Sequence, residues 1–121
     1  MKSIELVGAV VRSLDTHKAK DIRVLEVRDV TSLADYFVIA SSTSTTGVHA
    51  LVDYVDTDAA KLDVRPIRTE GYQTSLWTLL DYGTVVVHIF LDSTREFYDL
   101  ERLWQDARQL DLAMFLEDEK S

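Results

Sequence analysis

The fold is decided by the stretch Trp77-Thr78-Leu79-Leu80-Asp81-Tyr82-Gly83-Thr84-Val85-Val86-Val87-His88-Ile89-Phe90-Leu91. Two runs rich in β-forming residues, 75–80 and 84–91, flank Asp81-Tyr82-Gly83. Gly83 can adopt the positive φ that a tight turn requires. The sequence therefore predicts a β-hairpin at this point of the chain.

The two faces of this hairpin differ in composition, because side chains alternate along a strand. A two-residue loop of Tyr82 and Gly83 would place Trp77 opposite His88. Six side chains would then share one mixed face: Trp77, Leu79, Asp81, Thr84, Val86 and His88. The other face is nearly all apolar and is predicted to pack on helices. The mixed face suits a contact surface, although a helix that covers it would make Trp77 a core residue instead.

The rest of the chain supplies helices and further strands. The predicted elements are a helix over 3–16, strands at 21–27 and 36–40, a helix from Val48 to Leu62, a strand at 64–68, the hairpin, and a helix that begins at a Ser93–Glu96 capping box. On this last helix, one apolar stripe is predicted, with Leu100 and Trp104 packed on the sheet: Phe97, Leu100, Leu103, Trp104 and Ala107. Its other face alternates in charge and is predicted to be solvated: Arg95, Asp99, Arg102 and Asp106. The order α-β-β-α-β-β-β-α predicts one α/β (α+β) domain with a mixed five-stranded sheet. We place this domain at residues 1–106 and expect a partly disordered tail at 107–121.

Composition narrows the functional classes. The 121 residues include no cysteine, which excludes disulfides and thiolate metal sites and is consistent with a cytoplasmic location. No apolar stretch is long enough to span a membrane. The formal net charge is −8, with the acidity concentrated in residues 31–64 and 92–121. Direct nucleic-acid binding is therefore not expected, whereas a basic partner protein fits.

Catalytic motifs are missing. The four glycines are too widely spaced for a phosphate loop or a dinucleotide fingerprint, and the three histidines share no metal-ligand spacing. A Ser/Thr-rich loop, 41–47, precedes a helix, as in nucleotidyltransferases. The nearest carboxylate pair, Asp56 and Asp58, points in different directions on that helix and cannot chelate one ion. We therefore expect no enzyme, no metal and no cofactor, and Ser44 to Thr46 as ordinary helix caps.

Several longer motifs carry a family resemblance. They are Leu33-Ala34-Asp35-Tyr36-Phe37-Val38-Ile39-Ala40, Glu70-Gly71-Tyr72, Trp77-Thr78-Leu79-Leu80-Asp81-Tyr82-Gly83, Val85-Val86-Val87-His88-Ile89-Phe90 and Arg95-Glu96-Phe97-Tyr98-Asp99-Leu100-Glu101-Arg102-Leu103-Trp104. In this order they resemble the Iojap family, the ribosomal silencing factors of bacteria and organelles. The resemblance covers roughly residues 3–105.

The resemblance implies both a fold and a function. Members have a nucleotidyltransferase-like fold without catalytic carboxylates. They bind the large ribosomal subunit through ribosomal protein L14, block joining of the small subunit and so repress translation, and some form homodimers. The partner-binding residues expected here are Trp77, Asp81, Tyr82, His88, Glu70, Tyr98 and Glu101. The alternatives are a large-subunit assembly factor and a nucleotidyltransferase-like enzyme, which nucleotide- or metal-dependent turnover would reveal.

Overall fold

A six-stranded mixed sheet in the order β3-β4-β5-β2-β1-β6 forms the centre of the computed structural model, which describes residues 2–116. The elements are α1 Ser3–Thr16, β1 Lys20–Glu26, β2 Tyr36–Ser42, α2 Thr45–Ala60, β3 Arg68–Glu70, β4 Trp77–Asp81, β5 Val85–Leu91, α3 Asp92–Tyr98, α4 Leu100–Leu103, β6 Arg108–Leu110 and α5 Ala113–Leu116. The predicted mixed α+β fold is confirmed, but the sheet has six strands rather than five.

The two central strands, β2 and β5, run parallel and are buried on both faces. Their continuous apolar sequences match this position, because a strand covered on both faces does not alternate. All other neighbouring strands are antiparallel. The buried pair thus anchors β4 and β3 on one side and β1 and β6 on the other.

The helices cover the two faces unequally. The main core lies between one face and α1, α2 and α5, and it includes Val7, Val11, Val52, Val87 and Ile89. The N-cap of α2 is Ser44, whose side-chain oxygen accepts a hydrogen bond from the amide of Gly47. This confirms Ser44 as an ordinary cap.

The second face carries a smaller apolar cluster under the C-terminal segment. Phe37, Ile39, Val86 and Phe90 from the sheet meet Leu100 of α4, and Trp104 packs against the same cluster. The prediction that Leu100 and Trp104 pack on the sheet is confirmed. The mixed face of the hairpin is therefore only partly covered by protein.

The register of the hairpin differs from the prediction by two residues. Trp77 pairs with Phe90 and Leu79 pairs with His88, while the Tyr82 amide donates to the Val85 carbonyl at 2.9 Å. The turn therefore contains Gly83, at φ +90°, and Thr84 rather than Tyr82 and Gly83. A shift of two residues preserves the faces, so Trp77 and His88 still share one.

The strand predicted at 64–68 lies further along the chain. Only Arg68 belongs to β3, which continues to Glu70 and pairs with β4. Pro66 lacks the amide hydrogen that a paired strand position uses. The chain therefore joins the sheet only beyond the proline.

The C-terminal segment was predicted to form one continuous helix with a single apolar stripe, and this prediction is wrong. The helix α3 begins at Asp92, so Ser93 is not its cap, and Asp99 adopts the left-handed region at φ 48° and ends it. Phe97 and Leu103 are consequently exposed instead of buried.

The predicted tail, 107–121, includes ordered elements. Residues 108–110 form β6 and pair with β1, and Phe115 of α5 is buried against the main core. Residues 117–121 lie outside the described part of the chain.

Candidate functional site

A chain of aromatic rings crosses the partly covered face of the sheet. We call this surface the aromatic face and define it by six rings: Phe37, Trp77, His88, Phe90, Tyr98 and Trp104. In four pairs of these rings the centroids lie 4.8 to 5.4 Å apart. The pairs are Trp104 with Phe37, Phe37 with His88, Trp77 with Phe90 and Trp77 with Tyr98. Such spacings are favourable for aromatic pairs.

Trp77 is the central member of the aromatic face. Its ring stacks on Phe90 with an interplanar angle of 27°, and Tyr98 lies against it from α3. The indole Nε1 donates a hydrogen bond to Nδ1 of His88 at 3.1 Å. Trp77 is half-buried, so it belongs to the core cluster and also presents an edge to solvent. Trp77 is thus partly a core residue, and its contact with a partner stays a prediction.

His88 lies beneath this surface and is only 4% exposed. Burial lowers the pKa of its imidazole from 6.5 to about 4. Because Nδ1 accepts the indole hydrogen bond, the single proton of the neutral ring lies on Nε2. Within the described residues, Nε2 has no hydrogen-bond partner. The site therefore holds a neutral histidine that packs beside Trp77.

A groove of about 250 Å³ runs beside the rings. It is lined by Leu33, Phe37, Arg68, Leu79, Asp81, Val86, His88, Leu100 and Trp104. Leu33 lies at its edge and is largely exposed. Leu33 was not among the predicted partner-binding residues, although an apolar residue just before a buried strand is a visible signal in the sequence.

Exposed apolar side chains extend the aromatic face outward. Phe97 is 81% exposed and contacts Tyr98, which is 51% exposed. Leu103 on α4 is also exposed. Adjoining exposed apolar groups, such as Phe97 and Tyr98, are typical of interaction surfaces, and large aromatic side chains are the residues that most often anchor a protein partner.

The three carboxylates predicted to meet the partner already have partners within the chain. Asp81 accepts from Arg68 Nε at 3.2 Å and from the amide of Gly83 at 2.8 Å. Glu70 lies on the exposed edge strand, 3.9 Å from the same arginine. Glu101 forms a bidentate pair with Arg95. Of the three, Glu70 has the longest ion-pair distance and the most exposed side chain.

The environment of Arg95 differs from the prediction. Its alternation of charge with Asp99 and Arg102 predicted a solvated helix face, yet Arg95 is buried. The helix breaks at Asp99, which turns Glu101 back toward the guanidinium. No local pattern signals a pair that forms across such a break.

Tyr82 does not lie on the aromatic face. Its ring packs against the main core on the opposite side of the sheet, and burial raises the pKa of its phenol. The ring of Tyr82, expected among the partner-binding residues, is thus part of the packing of the main core, and its contact with a partner stays a prediction. Its hydroxyl is buried, and the described residues provide it with no hydrogen-bond partner.

We expect Tyr82→Phe to raise the free energy of unfolding by about 1 kcal/mol, because the substitution removes a buried hydroxyl without a partner and keeps the ring. Tyr82→Ala should instead lower it by at least about 2 kcal/mol through lost packing. Urea unfolding of the two variants measures both changes. A loss of stability in Tyr82→Phe would show that the hydroxyl is satisfied after all.

Among residues 2–116, no three side chains of histidine, aspartate or glutamate are placed to hold a metal ion. None of the helices in this range is long and apolar enough to cross a membrane.

Comparison with known proteins identifies the family. The family model described as "Ribosomal silencing factor during starvation" matches residues 1–121. The ribosomal silencing factor RsfS of Halalkalibacterium halodurans is 34% identical over 112 residues, which cover 93% of this chain and 96% of that protein. The mouse mitochondrial assembly of ribosomal large subunit protein 1 is 38% identical over 101 residues, 81% of this chain and 44% of its own length.

Solved structures agree with the sequence matches. A crystal structure of a Chromobacterium violaceum protein superposes with a TM-score of 0.84 and 33% identity over 87% of this chain and 88% of that chain. A Bacillus halodurans protein superposes with a TM-score of 0.80 and 30% identity over 90% and 99%. With one family model spanning all 121 residues and relatives above 30% identity over most of its length, this chain belongs to the family of ribosomal silencing factors.

Proposed function

We propose that this protein is a non-enzymatic translation repressor that binds the large ribosomal subunit through ribosomal protein L14 and sterically blocks joining of the small subunit. The observation that supports it most directly is the aromatic face, a partly covered surface with exposed Tyr98 and Phe97 beside half-buried Trp77. Relatives that carry the name of ribosomal silencing factor support the same role.

The chemistry of the aromatic face fits a basic protein partner. Aromatic anchors contribute most of the binding energy of an interface, whereas charges at its rim mainly raise the association rate. Glu70 lies at this rim on the edge strand, and the chain as a whole carries a net charge of −8. The proposed contact therefore combines an apolar centre with an acidic surrounding.

The experiment is a pull-down of purified large subunits with the tagged protein, followed by a subunit-joining assay by light scattering. We expect large subunits to be retained and joining to decrease in proportion to the bound protein. Retention without any effect on joining would contradict steric blockade. Cross-linking of the bound complex tests whether L14 is the protein contacted.

A second candidate function is large-subunit assembly, which the name of the mouse relative favours. The same contact surface would serve both roles. Binding to precursor subunits in preference to mature ones, measured on gradient-purified particles, would support assembly over silencing. A homodimer in solution stays a prediction that sedimentation can test.

We expect binding to weaken as salt rises, because the acidic chain is attracted to a basic target and salt screens that attraction. Association should slow by at least about tenfold between low and high ionic strength at constant Mg²⁺, while dissociation changes little. Surface plasmon resonance on immobilised large subunits measures both rates.

The matched variants for this measurement are Glu70→Gln at the rim and Asp63→Asn beyond α2. Both remove one exposed charge, and asparagine tolerates the positive φ of 61° at position 63. Only Glu70→Gln should slow association. An association rate that does not respond to salt would exclude electrostatic steering.

A further inference from the structure

Arg95 and Glu101 join the C-terminal segment to the end of the sheet. Arg95 Nε donates to Glu101 Oε1 at 3.3 Å, and Nη2 donates to Oε2 at 3.1 Å. The third nitrogen, Nη1, donates to Ser41 Oγ at 3.1 Å and to the Lys20 carbonyl at 3.4 Å. Arg95 is only 8% exposed, so its charge is paired with the Glu101 carboxylate inside the protein, and its remaining hydrogen bonds go to the strand ends.

The segment held by this pair forms part of the aromatic face. Helix α4 has four residues, too few to be stable without tertiary contacts. On one side Leu100 is buried in the second cluster, and Trp104 packs edge-on against Phe37 at 5.4 Å. On the other side Glu101 is held by the guanidinium. These contacts together set the orientation of α4 over the sheet.

We infer that Arg95 is a positioning residue of the aromatic face: through Glu101 it holds α4, and with it Trp104, in the orientation that binds the ribosomal partner. The inference rests on the proposed function. It also changes the role expected for Glu101, whose carboxylate acts through Arg95 and not by pairing with a cation of the partner. Arginine suits this task because its planar fork bonds both carboxylate oxygens at once.

The test compares large-subunit binding of the wild type, Arg95→Met, Glu101→Gln, the double variant and Glu96→Gln. Glu96 is exposed on α3, and its substitution removes the same charge as Glu101→Gln. We expect both single variants to bind about tenfold more weakly through faster dissociation. The double variant should be no weaker than the weaker single variant, and Glu96→Gln should dissociate like the wild type.

A spectroscopic readout separates positioning from general loss of stability. The two tryptophan indole N–H signals, assigned by single phenylalanine substitutions, report on the two parts of the face. In Arg95→Met the Trp104 signal should shift, while the Trp77 signal, fixed by His88, should stay. Arg95→Lys keeps the charge but cannot form the fork, so its affinity should fall between those of the wild type and Arg95→Met.

Distinct outcomes overturn distinct claims. One outcome would overturn the inference and leave the proposed function standing. In that outcome the wild type binds large subunits, and the folded Arg95→Met and Glu101→Gln variants dissociate at the wild-type rate. Slower association in Glu101→Gln with normal binding of Arg95→Met would make Glu101 a direct contact and would also overturn it. Failure of the wild type to bind large subunits would overturn the proposed function and this inference with it. If Arg95→Met does not fold, Arg95→Lys and Glu101→Gln decide the same question.

Discussion

Trp77→Ala is expected to weaken large-subunit binding by at least about thirtyfold and to lower the free energy of unfolding by about 3 kcal/mol. Both effects follow from the position of Trp77, which stacks on buried Phe90 and meets exposed Tyr98. The substitution also leaves Nδ1 of buried His88 without its hydrogen-bond donor. Isothermal titration with large subunits and urea unfolding measure the two quantities in the same preparation.

Two control variants separate these effects. Trp77→Phe keeps an aromatic ring but removes the indole donor, so it should cost about 1 kcal/mol of stability and keep most of the affinity. Tyr98→Ala removes a half-exposed ring, so it should weaken binding with little loss of stability. A destabilised Trp77→Ala whose folded fraction binds with wild-type affinity would place the partner on another surface.

Which side chains of the hairpin share a face was predictable, because side chains alternate between the two faces along a strand. Side chains two residues apart share a face, so Trp77 and His88 share one in either register. The exact turn was not predictable from the same pattern. Tyr82-Gly83 and Gly83-Thr84 both place Gly83 in the loop, and Tyr82 gains burial against the main core when it remains in the strand pairing.

The C-terminal segment shows where local pattern stops being informative. Phe97, Leu100, Leu103, Trp104 and Ala107 have helical spacing, which favours one long helix. Asp99 instead adopts the left-handed region, so Leu100 and Trp104 pack on the sheet while Phe97 and Leu103 are left exposed. Contacts distant in sequence, above all Arg95 with Ser41, compensate for the break. Such contacts override propensity and leave no local signal.

The charged part of the candidate site also depends on contacts between different elements of the fold. Composition correctly indicates an acidic chain but does not say which carboxylates are free. Asp81 pairs with Arg68 and Glu101 with Arg95 in the folded protein. In both cases the partner comes from a different element of the fold. A single sequence therefore identifies the acidic surface more reliably than the individual residues that would meet a partner.

Acid is expected to destabilise the protein through His88. Its pKa is about 4 in the folded state and 6.5 without burial, so between these values the unfolded chain binds a proton that the folded chain does not. Stability therefore rises with pH across this window and is lost as pH falls from about 6.5 to about 4. The full difference is about 3 kcal/mol, because each unit of pKa corresponds to about 1.4 kcal/mol.

The matched variant for this prediction is His88→Gln, which does not titrate but keeps an oxygen that can accept the hydrogen bond from Trp77. Carboxylates also change the stability below about pH 5. The difference in the free energy of unfolding between the wild type and His88→Gln at each pH therefore isolates the contribution of the histidine. His17→Gln removes a histidine that stacks on Tyr54 and leaves His88 in place, so the loss of stability that comes from His88 should persist in this variant.

Urea unfolding at intervals from pH 7 to pH 4 measures the effect in all three proteins. Protonation at Nδ1 would set two N–H groups against each other, because the Trp77 indole already donates to that atom. The Trp77 indole N–H signal should therefore lose its hydrogen-bonded shift in the same pH range in which stability falls. Parallel stability profiles of the wild type and His88→Gln down to pH 4 would contradict a buried neutral histidine at the centre of the aromatic face.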